Sequence, residues 1–159
     1  MKSSKDKYYP KFYHDDWIKQ ADRDFEIAKI AFTKRYYEWA IYASQQACEK
    51  SLKSILHLLN QKHEILLQTH SIQDLIDLLP TEFSKFNKYL KSNKTPNKLC
   101  ATIDQHITRC RYPVPFKKNS SPGAIYKKKD AEEVMNISRD IIEICKAHIS
   151  KIEILFNNI

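Results

Sequence analysis

Arg109, Arg111 and Tyr112 lie within four residues of one another, just ahead of Pro113 and Pro115. The stretch that follows carries Lys117, Lys118, Lys127, Lys128 and Lys129, with no acid before Asp130. A guanidinium grips phosphate oxygens through paired N–H groups, and an ammonium attracts them as a point charge. Two arginines and a phenol at a helix end beside a basic loop therefore suit capture of a nucleotide or an RNA phosphate. The candidate nucleotide-binding set is Arg109, Arg111, Tyr112 and Tyr126, with Lys117 and Lys118 attracting the anion. His106, three residues upstream of Arg109, is the nearest group that exchanges a proton near neutral pH. The competing reading is a solvated lysine-rich loop, since the 27 basic residues comprise 22 lysines and only five arginines.

Other chemistries are poorly supplied. The chain has one glycine, Gly123, so neither a G-x-G-x-x-G turn nor a Walker A loop exists, and no cofactor is expected. Cys48, Cys100, Cys110 and Cys145 form no C-x-x-C pair, and only His106 and His148 lie close to a cysteine, so no metal site is expected. Four cysteines so placed read as small buried hydrophobes in a reducing compartment. The longest uncharged run, Trp39 to Cys48, is half the length of a membrane span. The opening MKSSKDKYYPK has no apolar core for a secretory signal, which points to the cytoplasm.

The net charge of +8 is unevenly placed. Residues 1–11, 85–98 and 114–129 carry +3, +5 and +5, which leaves −5 for the rest. The basic groups thus belong to tails and connections, and the long helices must position them.

Apolar spacing predicts those helices. Trp17, Ala21, Phe25, Ala28 and Phe32 mark one face over 15–33, with Asp15 or Asp16 as cap. Over 36–60, Ala40, Ala43, Ala47, Ser51, Ser54 and Leu58 form one stripe, and Ile41, Cys48, Leu52, Ile55 and Leu59 form another. So wide an arc means packing on more than one side. Ser71 opens a short helix stopped by Pro80, Phe83 to Leu90 suggest another, and Leu99, Ile103 and Ile107 a helix over 97–110. Residues 113–129 read as a loop. Asp130 with Glu133 resembles a capping box that opens a final helix running to about Phe156. The expected architecture is all-α: an antiparallel up-and-down bundle of four to five helices, three of them long, over 14–157, with a basic tail at 1–13 and a basic loop at 114–129.

The ordered set of segments resembles the HEPN domain, a helical module named for higher eukaryotes and prokaryotes. Trp17 with the Ala21 to Ala28 face opens the first helix. Residues 45–53, QQACEKSLK, match a QQAxEKxLK run. Thr69-His70 precedes the Leu75 helix. Arg111-Tyr112-Pro113, then Tyr126, then Asp130-Ala131-Glu132-Glu133 match the ending. The likeness covers about 14–150. On that helix Gln46, Glu49 and Lys50 either pair across turns or meet a ligand, and His70 either caps or binds.

Many members of that family are metal-independent ribonucleases, with an arginine followed after four to six residues by a histidine, and two such sets meet across a dimer. None of Arg23, Arg35, Arg109, Arg111 and Arg139 has a histidine at that distance. The resemblance therefore implies a binding role: a homodimeric helical partner of a small nucleotidyltransferase, in a two-component system of the toxin–antitoxin type. Tyr112 is then the position for adenylylation by that partner. The alternatives are an RNA-cleaving toxin using His106 with Arg109 or Arg111, and a helical adaptor that binds neither.

Overall fold

The computed structural model describes residues 13–59, 68–80 and 96–157, and no strand occurs among them. Three long helices carry the molecule: α1 (Tyr13–Thr33), α2 (Tyr37–Leu58) and, at the end of the chain, a helix over Lys128–Asn157. Between α2 and that last helix come α3 (Ile72–Asp77), α4 (Pro96–Asp104), α5 (His106–Arg109) and α6 (Pro122–Ile125), which makes the last one α7. The fold is all-α, as the spacing requires. The expected helical piece at Phe83 to Leu90 and most of the basic tail lie outside the described residues.

α1 ends in a left-handed turn. Arg35 has φ 65°, Arg35 N donates to Phe32 O (2.9 Å) and Tyr36 N donates to Ala31 O (2.9 Å). This paired closure uses carbonyls that the helix end leaves free, and it usually places glycine where Arg35 stands. The chain then reverses into α2. α1 and α2 share the most extensive helix contact, and the short side chains Ala40, Ala43, Ala47, Ser51 and Ser54 are all buried, as that close approach demands. Lys50 Nζ pairs with Asp24, and Ser54 Oγ donates to His14 O (2.8 Å), fixing the register.

α7 closes the other side of α2. Lys146 meets Asp22 at 2.6 Å and Glu153 meets His14 at 3.1 Å, so α7 runs antiparallel to α1 and therefore parallel to α2. The intervening short helices return the chain to the end of the bundle where α2 starts. The core collects Ile41, Leu52, Ile55, Leu56, Ile72, Leu75, Ile103, Val134 and Ile141, with α2 at its centre. All four cysteines are buried there as free thiols.

Several helix ends differ from the sequence expectation. Asp15 and Asp16 lie inside the first turn of α1 instead of ahead of it. α7 begins two residues before Asp130, whose Oδ2 accepts from Lys127 N (2.8 Å). Asp130 thus reaches back from the third helical position, the inner half of a capping box. The helix expected over 97–110 breaks at Gln105 into α4 and α5, and the proline-rich loop encloses α6, with Pro122 in its first turn, where a missing N–H costs nothing. At α3, Ser71 Oγ accepts from Asp74 N (3.2 Å), while Asp104 of α4 accepts from Ile72 N (2.8 Å) and Gln73 N (3.2 Å). A carboxylate on first-turn amides is favoured by the helix dipole, and it joins α4 to α3.

Candidate functional site

The last turn of α5 sets the corner. Cys110 N donates to His106 O (3.0 Å), and both Arg111 N (3.1 Å) and Tyr112 N (3.2 Å) donate to Thr108 O. This tightening winds Arg111 back over the helix, where its Nε donates to Ile107 O at 2.9 Å. Pro113 then stops the turn, because a residue before proline is pushed out of the helical region.

Held in that way, the Arg111 guanidinium lies 5.3 Å from the centroid of the Tyr42 ring and 5.3 Å from that of Tyr112. Both distances fall within cation–π range. Tyr42 in turn meets Trp39 edge to face at 6.1 Å. The result is a run of Trp39, Tyr42, Arg111 and Tyr112, with Trp39 53% and Tyr112 57% exposed. Among the described residues no acid pairs with Arg109 or Arg111, so their terminal N–H groups remain available at the surface. Trp39 and Tyr42 were not among the residues expected at the site. Their signal is the aromatic density of Tyr36, Tyr37, Trp39 and Tyr42 at the start of α2, with Trp39 off both apolar stripes.

The loop after the corner closes on itself. Val114 N donates to Ser120 O (3.2 Å), and Ser120 Oγ donates to Val114 O (2.9 Å). Its tip projects Phe116, Lys117 and Lys118 into solvent, with Phe116 at φ 59° and Asn119 at φ 55°. A left-handed phenylalanine with no packing to hold it stores strain on the order of 1–3 kcal/mol.

Tyr126 does not join this surface. It is 6% exposed, its hydroxyl is 2.8 Å from Nδ1 of His106, and the two rings meet edge to face at 5.2 Å. Burial pushes the phenol up to about 12. The same burial lowers the His106 imidazole below its usual value, with Asp130 opposing and Arg109 assisting. A tyrosine followed by three lysines looked like part of a basic binding loop; it is the apolar plug that fastens that loop to the core.

Lys50 is likewise committed to Asp24, with Gln46 Oε1 3.5 Å away. Around it, the QQACEK segment builds a buried polar cluster. Glu49 Oε1 takes Lys53 Nζ at 2.6 Å and His70 Nδ1 at 3.0 Å, while Gln45 Nε2 donates to Glu49 Oε2 (3.2 Å) and to His70 O (3.2 Å). Gln45, Glu49 and Lys53 are each under 5% exposed. His70 therefore does not cap α3; it ties the chain ahead of α3 to α2.

The four thiols are buried and free. Burial raises Cys48 well above its ordinary value, Cys100 to about 12 and Cys110 to about 11, and it raises Cys145 further. No helix among the described residues is long and apolar enough to cross a membrane.

Comparison with known proteins fits this arrangement. The HEPN domain family model matches residues 14–148. A Methanocaldococcus jannaschii protein named "Putative toxin MJ1304" is 30% identical over 135 residues, covering 82% of this chain and 84% of that one. Among solved structures, ST0689, an archaeal HEPN homologue, superposes with a TM-score of 0.62 at 30% identity, over 86% of this chain and 97% of that one. TT1696 from Thermus thermophilus shares the fold at a TM-score of 0.69 and 23% identity, over 84% and 96% of the two chains. With the family model spanning most of the bundle and the corner included in the match, the chain belongs to the HEPN domain family.

Proposed function

We propose that this chain is a nucleotide-binding HEPN module, the helical partner of a small nucleotidyltransferase in a two-component, toxin–antitoxin-like system. One observation carries the binding reading. Arg111 lies 5.3 Å from the ring centroids of both Tyr42 and Tyr112 with Nε engaged on a backbone carbonyl, and its remaining N–H groups face no acid among the described residues. A phosphate would meet Arg111 and Arg109, with Lys117 and Lys118 raising the local anion concentration. A base would lie on the exposed ring of Trp39 or Tyr112, since aromatic faces accept any base. The partner reading is supported by membership of the family and by the toxin name of the M. jannaschii relative. Tyr112, exposed beside Arg111, is the hydroxyl open to modification by such a partner. The long helices would pair in a homodimer.

Quenching of Trp39 fluorescence by ATP at low salt tests the site. Arg111→Ala should weaken binding about tenfold or more, the scale of a lost charge-assisted contact. Unchanged affinity in that variant would remove the corner from the site. Incubation with single-stranded RNA in EDTA separates the competing ribonuclease reading: cleavage lost in His106→Ala would favour it. That reading has to contend with a His106 whose Nδ1 is already hydrogen-bonded to Tyr126.

A further inference from the structure

At the opposite end of α2, three potential metal ligands converge from the two ends of the described chain. His14 Nε2 lies 3.1 Å from Glu153 Oε1 and 3.4 Å from Asp15 Oδ1. One ligand atom from each of the three side chains lies within 4.8 Å of the others. Tyr42 and Ser54, which contacts His14, are twelve residues apart on α2, or about 18 Å along the axis. The cluster is thus separate from the corner.

We propose that His14, Asp15 and Glu153 form a binding site for a divalent first-row transition ion, such as zinc, cobalt or manganese, that clasps the start of α1 to the end of α7. The spacing is the first argument. Nitrogen and oxygen ligands sit about 2.0–2.2 Å from such an ion. Neighbouring ligand atoms around one tetrahedral or octahedral centre are then roughly 3.0–3.5 Å apart. The two distances from His14 Nε2 fall in that interval.

The second argument is that the imidazole is already fixed. Its side chain is 7% exposed, and its backbone carbonyl accepts from Ser54 Oγ at 2.8 Å. A ligand held before the ion arrives loses little ordering entropy on binding. The two carboxylates are 41% and 42% exposed, which leaves water free to complete the coordination.

The third argument is charge. Two carboxylates are drawn to one imidazole, and among the described residues neither pairs with a lysine or arginine. A divalent cation neutralises both. One nitrogen with two oxygens suits borderline ions over soft copper(I), which seeks sulfur, and over calcium, which seeks more oxygens.

Cobalt(II) titration of the tag-free, chelator-treated full chain tests the proposal, followed by thermal melting with cobalt or zinc. One cobalt per chain should bind, with visible d–d bands and no thiolate charge-transfer band, and the melting temperature should rise. Glu153→Gln should weaken uptake about tenfold or more, roughly 1.4 kcal/mol or more, and abolish the metal-dependent rise. Glu143→Gln, an exposed change on the same helix, should leave both intact. His14→Gln should behave like Glu153→Gln; if it fails to fold, the half-exposed Glu153 variant still decides. Absence of uptake, uptake that persists in Glu153→Gln, or a thiolate band would overturn the proposal and leave an imidazole ring beside two carboxylates with no ion.

Discussion

The Tyr126 hydroxyl and Nδ1 of His106 are 2.8 Å apart, and this bond is where the basic loop meets the core. Both groups have shifted pKa values, and the shifts bound stability from two sides. The folded state lowers the His106 pKa, so the unfolded chain takes up the proton more readily. The stability that His106 contributes is complete above about 6.5 and is lost as the pH falls through its lower folded value. Tyr126 works in the other direction: its contribution is complete below about 10 and is lost as the pH rises toward about 12. His106→Gln should flatten the acid limb of a urea-denaturation series against pH. Tyr126→Phe should cost about 1–2 kcal/mol at neutral pH without changing nucleotide affinity.

The buried pair of Glu49 and Lys53 should respond unequally to single and double changes. Lys53→Met leaves a carboxylate that is 4% exposed without its ammonium partner, with His70 and the amides of Gln45 and Gln46 as its remaining hydrogen-bond partners. Removing one member of a buried pair costs about 3–5 kcal/mol; with His70 in place, we expect about 3 kcal/mol. The double variant Glu49→Leu with Lys53→Met removes both charges and should recover most of that loss. Chemical denaturation of the four chains of this cycle measures the coupling.

Arg35 occupies a left-handed position at φ 65°, where a side chain costs about 1–2 kcal/mol. Arg35→Gly should therefore stabilise the protein by about 1 kcal/mol. Lys34→Gly, one residue earlier and without a positive φ, should do the reverse. Paired thermal melts distinguish relief of strain from a general tolerance of glycine in the turn.

The four thiols should be silent toward a disulfide reagent in the native state at neutral pH and react together on unfolding. Each is buried, and each is pushed up by that burial. Folding holds these groups neutral, so their contribution to stability is complete below about 9 and declines as the pH rises. A thiol reacting at neutral pH before the unfolding transition would show that a cysteine is exposed.

Much of the bundle was legible because its long helices repeat apolar residues at three- and four-residue spacing over many turns. The expected spans 15–33 and 36–60 differ from α1 and α2 by at most two residues at either end. Helix ends were harder, since Asp130 satisfies a capping pattern from either of two registers and only the backbone decides between them. The candidate site was half legible. Arg111 and Tyr112 follow from residue type, but Tyr42, with Trp39 beside it, reaches Arg111 from a helix some 70 residues earlier. Tyr126 shows the limit of composition: its neighbours Lys127, Lys128 and Lys129 are exposed while its own ring is buried. The meeting of His14 with Glu153, at a separation of 139 residues, has no local signal at all.

The closure between Val114 and Ser120 has a consequence for how such chains diverge. The two ends of this loop are latched to each other, and its tip from Pro115 to Asn119 is exposed. Residues at its tip can be exchanged, lengthened or recharged without a compensating change in the interior. The 114–120 segment is therefore a replaceable cassette, and grafting it between related bundles would alter the face shown to solvent while the scaffold stays as it is.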